Sequence, residues 1–373
     1  MLAWVDHPSA IQVLLQTATR FRTPGIRTLA EECVHAVAER RGWTIDELAD
    51  RTVPSAGLDE TGKLALDFGP RQFVARLDDK MKLVLQNADG KTIAALPEPR
   101  ADDDATLAAE TKALFAAAKK QVKTVVEQQE ERLYEAMCVQ RRWPGADWQT
   151  YVAGHPLVGR LAQRVVWMAV PASPDAPIVA FRPLGDGTLT AADDSAVTLA
   201  PDACIGVAHA LFLDEQQIAA WKKHLDDYEI APLFDQLGRP PFRLPEAQRG
   251  QPNLEDFKGH LVESQKLRGR ATKRGYTRGP AEDGGWFYVY RRYFPGTGIA
   301  AELHFSGSSL PEENRTVALG ELVFERTSDG NSAPVGSLGD VPAVLVSECW
   351  NDLRQIAAEG SGFDPDWADK LTR

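Results

Sequence analysis

The chain has 373 residues, with 42 Lys and Arg against 53 Asp and Glu, a net charge of −11 and a pI near 5.2. At ~100–200 residues per domain this length predicts two domains, or one with a helical extension. Its 25% charged and 43% apolar residues exclude wholesale disorder, and the acidic excess excludes a uniformly basic nucleic-acid coat.

No run of about 18 apolar residues occurs, so no membrane association is expected; the longest stretch, Val165–Val170, has the length of a strand. The start, Met1 to His7, carries no basic leader or cleavage site, which predicts no signal peptide. Cys33, Cys138, Cys204 and Cys349 are scattered without CxxC spacing, as reduced thiols of a cytoplasmic protein would be. The histidines are equally dispersed, so neither a metal nor a cofactor is expected.

Residues 8–48 predict helices. Ile11, Leu14, Leu15 and Ala18 share one face, and Ile26, Leu29, Ala30, Cys33 and Val37 another, with Thr23-Pro24-Gly25 as the break and Thr44 as an N-cap. Such a pair is one unit of a helical repeat, which cannot bury both its faces, so the expectation is a fragment, or a short version, of a longer helical protein. From Pro54 the texture changes. Alternating Leu64, Leu66, Phe68 and Phe73, Ala75, Leu77, then Leu83 and Leu85, predict an antiparallel meander over 63–94, followed by a Pro- and Asp-rich bridge.

Thr106 to Val139 contains no Pro or Gly. Its stripe of Leu107, Leu114, Phe115, Val122, Val125, Val126, Leu133 and Met137 predicts a helix about 50 Å long, packed on its own domain, with a coiled-coil partner as the alternative. A broken helix is expected over 147–163. Strands are expected over Arg164–Val170, Ile178–Arg182, Val197–Leu199 and Cys204–Ala208. A helix capped by Asp214 would bury Ile218, Trp221, Leu225 and Tyr228. After the rigid connector Gln236–Pro241 come a helix near Leu254–Leu267, strands over Trp286–Phe294, Ile299–Phe305 and Val317–Glu325, and a closing helix from Val341 to Ala358. Helices segregated from antiparallel strands define an α+β class. The expected layout is a helical-repeat-like pair (1–53), a small meander with long helices (54–163), and a mixed, largely antiparallel α+β domain (164–373).

Certain segments carry more than periodicity: Asp50–Asp59, Leu66–Phe73, His155-Pro156-Leu157 with Arg164 and Val166-Trp167, Phe234–Pro240, and Gly284-Gly285-Trp286. Together they resemble the bacterial molybdate-metabolism-regulator-like family, whose C-terminal region is a domain of unknown function, and the resemblance covers nearly the whole chain. It implies a helical-repeat protein. Some family members carry a WGR module associated with nucleic-acid and poly-ADP-ribose enzymes, but no Trp-Gly-Arg triplet stands here. No oxyanion site is evident, and the resemblance transfers no catalytic residue.

The sharpest local feature is basic. Between Lys258 and Arg278 seven Lys and Arg face a single acid, Glu263, a net +6 that leaves −17 for the rest of a chain totalling −11. Lys266, Arg268, Arg270, Lys273, Arg274 and Arg278, with Arg291 and Arg292 beyond, lie close to Tyr276, Trp286, Tyr288, Tyr290 and Tyr293. Cations beside aromatic rings suit phosphates and bases. The bland alternative is half-buried strand aromatics beside cations that meet acidic protein surface. Arg239 and Arg243 flank prolines, where a fixed guanidinium grips an anion or pairs with a structural carboxylate.

Phosphate-loop and nucleophile-elbow motifs are absent from the sequence, and the acid pairs Asp193-Asp194 and Asp226-Asp227 read as solvated surface. His155 and His209 stand at polar–apolar boundaries, where a cap or buried hydrogen-bond partner is the ordinary role. The expectation is a non-enzymatic interaction or regulatory module with a protein partner. Nucleic-acid binding through 258–278 is the alternative, and an enzyme whose distant residues converge only in the fold is the second.

Overall fold

The computed structural model describes Trp4 and residues 7–20, 23–170, 177–282, 284–328 and 331–370. The leader reading at Met1-Leu2-Ala3 and Val5-Asp6, and Phe21-Arg22 within the expected helices, lie outside these residues. The α+β class holds. The chain divides into two compact units, Met1–Tyr134 with Arg142–Val207 and Ala220–Phe234, and Glu135–Arg141 with Ala208–Ala219 and Asp235–Arg373.

The first unit begins with α1 (Pro8–Arg20), α2 (Pro24–Arg41) and α3 (Ile45–Arg51). Gly42, at φ 65°, closes α2 in the left-handed conformation that glycine adopts without steric cost. Thr44 and Glu47 then form a reciprocal capping box that starts α3. Ile11, Leu14, Ala30, Val34, Val37 and Leu48 make the shared core. Ile26 and Leu29, expected on the inner face of α2, are instead exposed, Leu29 at 60%. The buried stripe runs through Ala30, Val34, Val37 and Ala38; Leu29 lies about 100° off it, whereas Ile26 is in line with it but in the first turn of the helix, where it stays uncovered.

Strands β1 (Lys63–Asp67), β2 (Gln72–Leu77), β3 (Leu83–Asn87) and β4 (Thr92–Ile93) form the expected antiparallel meander. Helix α4 (Ala105–Cys138) follows, its start capped by the Asp104 carboxylate, which accepts from the amides of Thr106 and Leu107. Its inner face is Ala108, Thr111, Phe115, Ala118, Val122, Val125, Gln129 and Leu133, while Leu107 and Leu114 point outward. Thr111 donates to the Asp67 carbonyl and Arg132 to Asp50, so the helix lies along the meander and α3.

A second sheet has the order β5-β9-β6-β7-β8, made of β5 (Trp143–Pro144), β6 (Trp167–Val170), β7 (Val179–Pro183), β8 (Leu189–Thr190) and β9 (Cys204–Val207). Between β5 and β6 run the short turn α5 (Gly145–Asp147), a π-helix (Trp148–Ala153) and α6 (Val158–Ala162). Trp148 and Trp167, both fully buried, pack edge to face at 5.3 Å. Two expectations fail in this region. Val197–Leu199 forms no strand, although Ala196 bridges Thr190 and the Val197 amide bonds the Leu189 carbonyl. In α7 (Glu215–Asp227), capped by Asp214 as expected, Trp221 and Leu225 are buried, but Tyr228 beyond the helix end is 54% exposed.

The second unit is built on an antiparallel sheet with the path β12-β13-β14-β15-β11-β17, with β10 and β16 also on β15. Its strands are β10 (Asn253–Leu254), β11 (His260–Glu263), β12 (Thr277–Arg278), β13 (Trp286–Phe294), β14 (Ile299–Ser309), β15 (Thr316–Ser328), β16 (Asn331–Pro334) and β17 (Gly362–Phe363). The helix expected near 254–267 is displaced: α8 spans Ser264–Lys273, and 253–263 supplies β10 and β11. Gly259, at φ +82°, separates Phe257 from β11 and stops a helix there. Helix α9 (Ala343–Ala357) packs against α8, β11 and β15, and α10 (Trp367–Lys370) ends the described chain.

Candidate functional site

A buried assembly of polar and ionisable side chains lies on α9. Ser347, Glu348, Asn351 and Asp352 are spaced one and four residues apart, so they share one helical face, and all are buried. That face grips the connector 235–243. Arg239 donates from Nη1 to Glu348 Oε2 at 2.9 Å, and its Nη2 lies 2.9 Å from Asp352 Oδ1. Asn351 donates to the Pro240 carbonyl at 2.9 Å, and the Phe242 amide donates to Ser347 Oγ at 3.0 Å. The Phe242 ring stacks on Trp350 at 4.4 Å and 9°.

The connector is fixed at its other positions too. Gln236 donates to the Ala208 carbonyl at 2.6 Å and Arg243 to that of Leu211 at 2.9 Å. At Gly238 a Cβ would fall 2.1 Å from Asp235 Oδ1, the atom that accepts from the Gly238 amide. A side chain at Gly238 would push the Asp235 carboxylate off that amide.

His209 completes the cluster. Its Nδ1 accepts from the Leu211 amide at 3.1 Å, so in the neutral ring the proton sits on Nε2, which points at Glu348 Oε1 at 3.4 Å. Arg239, His209, Glu348 and Asp352 are 4%, 2%, 1% and 3% exposed. Burial pushes the Asp352 carboxyl up, opposed by the Arg239 guanidinium. The neighbouring Cys349 thiol is pushed up to about 12 by the same desolvation, and the Tyr276 hydroxyl well above its ordinary value. A thiol so raised is a poor nucleophile. The residue types are those of acid–base chemistry, yet both His209 nitrogens and both Glu348 carboxylate oxygens are engaged within the fold.

The basic segment is engaged as well. Arg268 pairs with Glu312 at 2.7 Å and Arg270 with Glu359. Lys266 lies 3.9 Å from Glu263 and donates to the Glu359 carbonyl. Arg274 lies 3.6 Å from Asp352 and donates to Gln355. Lys258 is held by Glu255 and Glu321. Arg291 sits 3.5 Å from both Glu302 and Glu325 and donates to Thr327 and Ser332. Arg278 and Arg292 lie over the rings of Phe287 and Phe294. Lys273 ends α8 on the surface. Of the aromatics read as base platforms, Tyr276 and Tyr290 are buried, and Tyr293 stands exposed on β13.

In the first unit the distinctive segments form latches. Asp50 accepts from Arg132 and from the Trp143 indole at 2.7 and 2.8 Å. Arg51 bridges Glu47 and Asp147 and lies between the rings of Trp43 and Tyr151. His155 Nδ1 accepts the amides of Leu157 and Val158, so its Nε2 donates to the Val53 carbonyl at 3.1 Å. Burial lowers its pKa.

The sequence reading missed Glu348 and Asp352, although two polar pairs four residues apart in an otherwise apolar helix signalled a buried polar face. It also missed a group in the first unit. There Arg182 donates to His224 Nε2, His224 Nδ1 faces Asp194 at 3.3 Å, and Tyr228 donates to Asp194. Among the described residues no group of three or more His, Cys, Asp or Glu is arranged to hold a metal ion.

The motif segments are therefore the latches of an α+β scaffold, and the chain belongs to the family defined by a domain of unknown function (DUF4132), whose model matches residues 90–276. It is similar to the uncharacterized protein YehI of Escherichia coli (strain K12), 31% identical over 343 residues. The match covers 90% of this chain and 28% of that relative, so the chain spans little more than a quarter of its length. No solved structure matches the chain. Among the described residues no helix is long and apolar enough to cross a membrane.

Proposed function

We propose that the chain is a non-enzymatic interaction or regulatory module of a bacterial cytoplasmic protein, kin to the molybdate-metabolism-regulator-like proteins and taking a protein partner. The helical-repeat reading of 1–53 and the divisions at 54 and 164 belong to the same proposal. The observation that carries it is the pairing of Arg268, Arg270 and Arg274 with Glu312, Glu359 and Asp352. Cations already neutralised by their own fold gain little from phosphates, since each new contact must replace an existing one. The buried Arg239 cluster supports the same reading, because its acids, base and guanidinium are spent on each other.

The second reading, nucleic-acid binding, rests on Lys273 and Arg278 with Lys266, Arg292 and the exposed Tyr293 nearby in sequence. Titration of short DNA and RNA duplexes and single strands at low and high salt separates the two. The module reading expects no salt-dependent affinity. Affinity that falls steeply with salt, and is lost in a Lys273→Ala/Arg278→Ala variant, would establish the second reading and overturn the first.

A further inference from the structure

An aromatic ribbon crosses the second unit. From the stacked pair Phe242–Trp350 it continues to Phe257 at 5.3 Å from Trp350, to His260 at 5.7 Å from Phe257, and to Phe363 at 6.0 Å from His260. Trp367 joins at the same end. A Cβ on Gly259 would lie 2.6 Å from Trp367 and 2.9 Å from Phe363, so a glycine at φ +82° is what lets both rings close over this backbone. The inner rings are half-buried, whereas Phe363 is 61% exposed. Phe363 is thus a large ring left in solvent at the end of a packed aromatic row.

Around that end acidic residues outnumber basic ones. Glu255 and Asp256 precede Phe257 and are exposed, and Asp364 and Asp366 follow Phe363. The nearest cation in sequence, Lys258, is held by Glu255 and Glu321. At the opposite end the Arg354 guanidinium lies 6.0 Å over Trp350, so the ribbon already receives one cation from its own chain. His260 adds a directional feature. Its Nδ1 donates to the Phe257 carbonyl at 3.0 Å, which leaves Nε2 of the neutral ring as an acceptor in the middle of the row. Aromatic faces, acidic side chains and a ring nitrogen acceptor all favour a cationic donor, by cation–π attraction, charge and hydrogen bonding respectively.

We infer that the Phe257–His260–Phe363–Trp367 end of the ribbon is a docking surface for an Arg- or Lys-bearing peptide segment of a partner protein. The inference rests on the reading of the chain as an interaction module. A guanidinium or ammonium would lie against the Phe363 and Trp367 rings, with the exposed Asp256 supplying long-range attraction.

The test is fluorescence anisotropy of a labelled ten-residue peptide of alternating Arg and Gly, titrated with the full chain at low salt. A Glu-for-Arg version of the peptide and a dT single strand of equal length run in parallel. The expected result is binding of the Arg peptide alone. Phe363→Ala weakens it at least fivefold with an unchanged denaturation midpoint, and Asp256→Asn weakens it about threefold. Asp202→Asn, which removes an exposed acid of the first unit, leaves the affinity within twofold. Absence of Arg-peptide binding overturns the inference. So does an affinity unmoved by Phe363→Ala, or one lowered equally by Asp202→Asn and Asp256→Asn, because either result means diffuse attraction to a chain of net charge −11. Preference for dT overturns it in favour of base stacking. Failure of the peptide arm with a negative nucleic-acid titration removes this surface alone, whereas nucleic-acid binding through Lys273 and Arg278 removes the module reading first.

Discussion

Arg239 and Glu348 meet at 2.9 Å with both side chains all but closed to solvent, and Asp352, one turn along α9, holds the second guanidinium nitrogen at the same distance. A buried charge costs several kcal/mol unless it is paired, so these groups stand or fall together. The arrangement fastens the proline connector to the helix. It also explains why Gln236 and Arg239, the polar side chains at the heart of that segment, are closed to solvent.

Arg239→Met is expected to destabilise the chain by about 3–5 kcal/mol, because it leaves Glu348 buried without its cation and Asp352 facing Arg274 alone. Combining it with Glu348→Gln and Asp352→Leu is expected to restore part of that loss, since both buried carboxylates are then gone and Arg274 is part-exposed to water. Urea denaturation of the two variants measures both.

Stability is expected to fall below pH 6.5 partly through His155. Burial depresses its folded pKa below the 6.5 of the free side chain, so the unfolded chain binds the proton more tightly. The contribution is therefore complete above 6.5 and is lost as pH falls through the depressed value. His224, lowered by burial and by Arg182, acts in the same direction. Urea midpoints between about pH 5 and 7.5 should slope less steeply in His155→Gln than in the parent chain. Equal slopes would remove His155 from the account.

Asp50→Ala is expected to cost about 1.5–3 kcal/mol, the usual range for hydrogen bonds to a charged group, because Arg132 and the Trp143 indole lose a shared acceptor. Asp50→Asn should retain a part of it. Thermal denaturation of both variants provides the comparison.

Alkylation of the native chain is expected to label Cys204, which is exposed, and to spare Cys349, whose thiol is buried and raised to about 12. Mass spectrometry after a short iodoacetamide pulse reads the sites directly. Rapid modification of Cys349 without unfolding would contradict the closed state of the α9 cluster.

Local signals in the sequence were enough to determine the α+β class, the meander, the proline- and glycine-free span of α4, the Thr44 and Asp214 caps and the extent of β13. Each depends on neighbours only a few residues away, where period, cap and turn chemistry act. Tertiary contact decided the rest. Ile26 and Leu29 are exposed, and Leu254–Leu267 became two strands and a helix, because hydrophobic spacing names a face without saying what covers it. The basic run between Lys258 and Arg278 could be counted in the sequence, but its partners Glu312, Asp352 and Glu359 lie 44 to 89 residues away from the cations they meet. A charge is set by its residue, whereas its neutralisation is set by whichever chain segment folds against it.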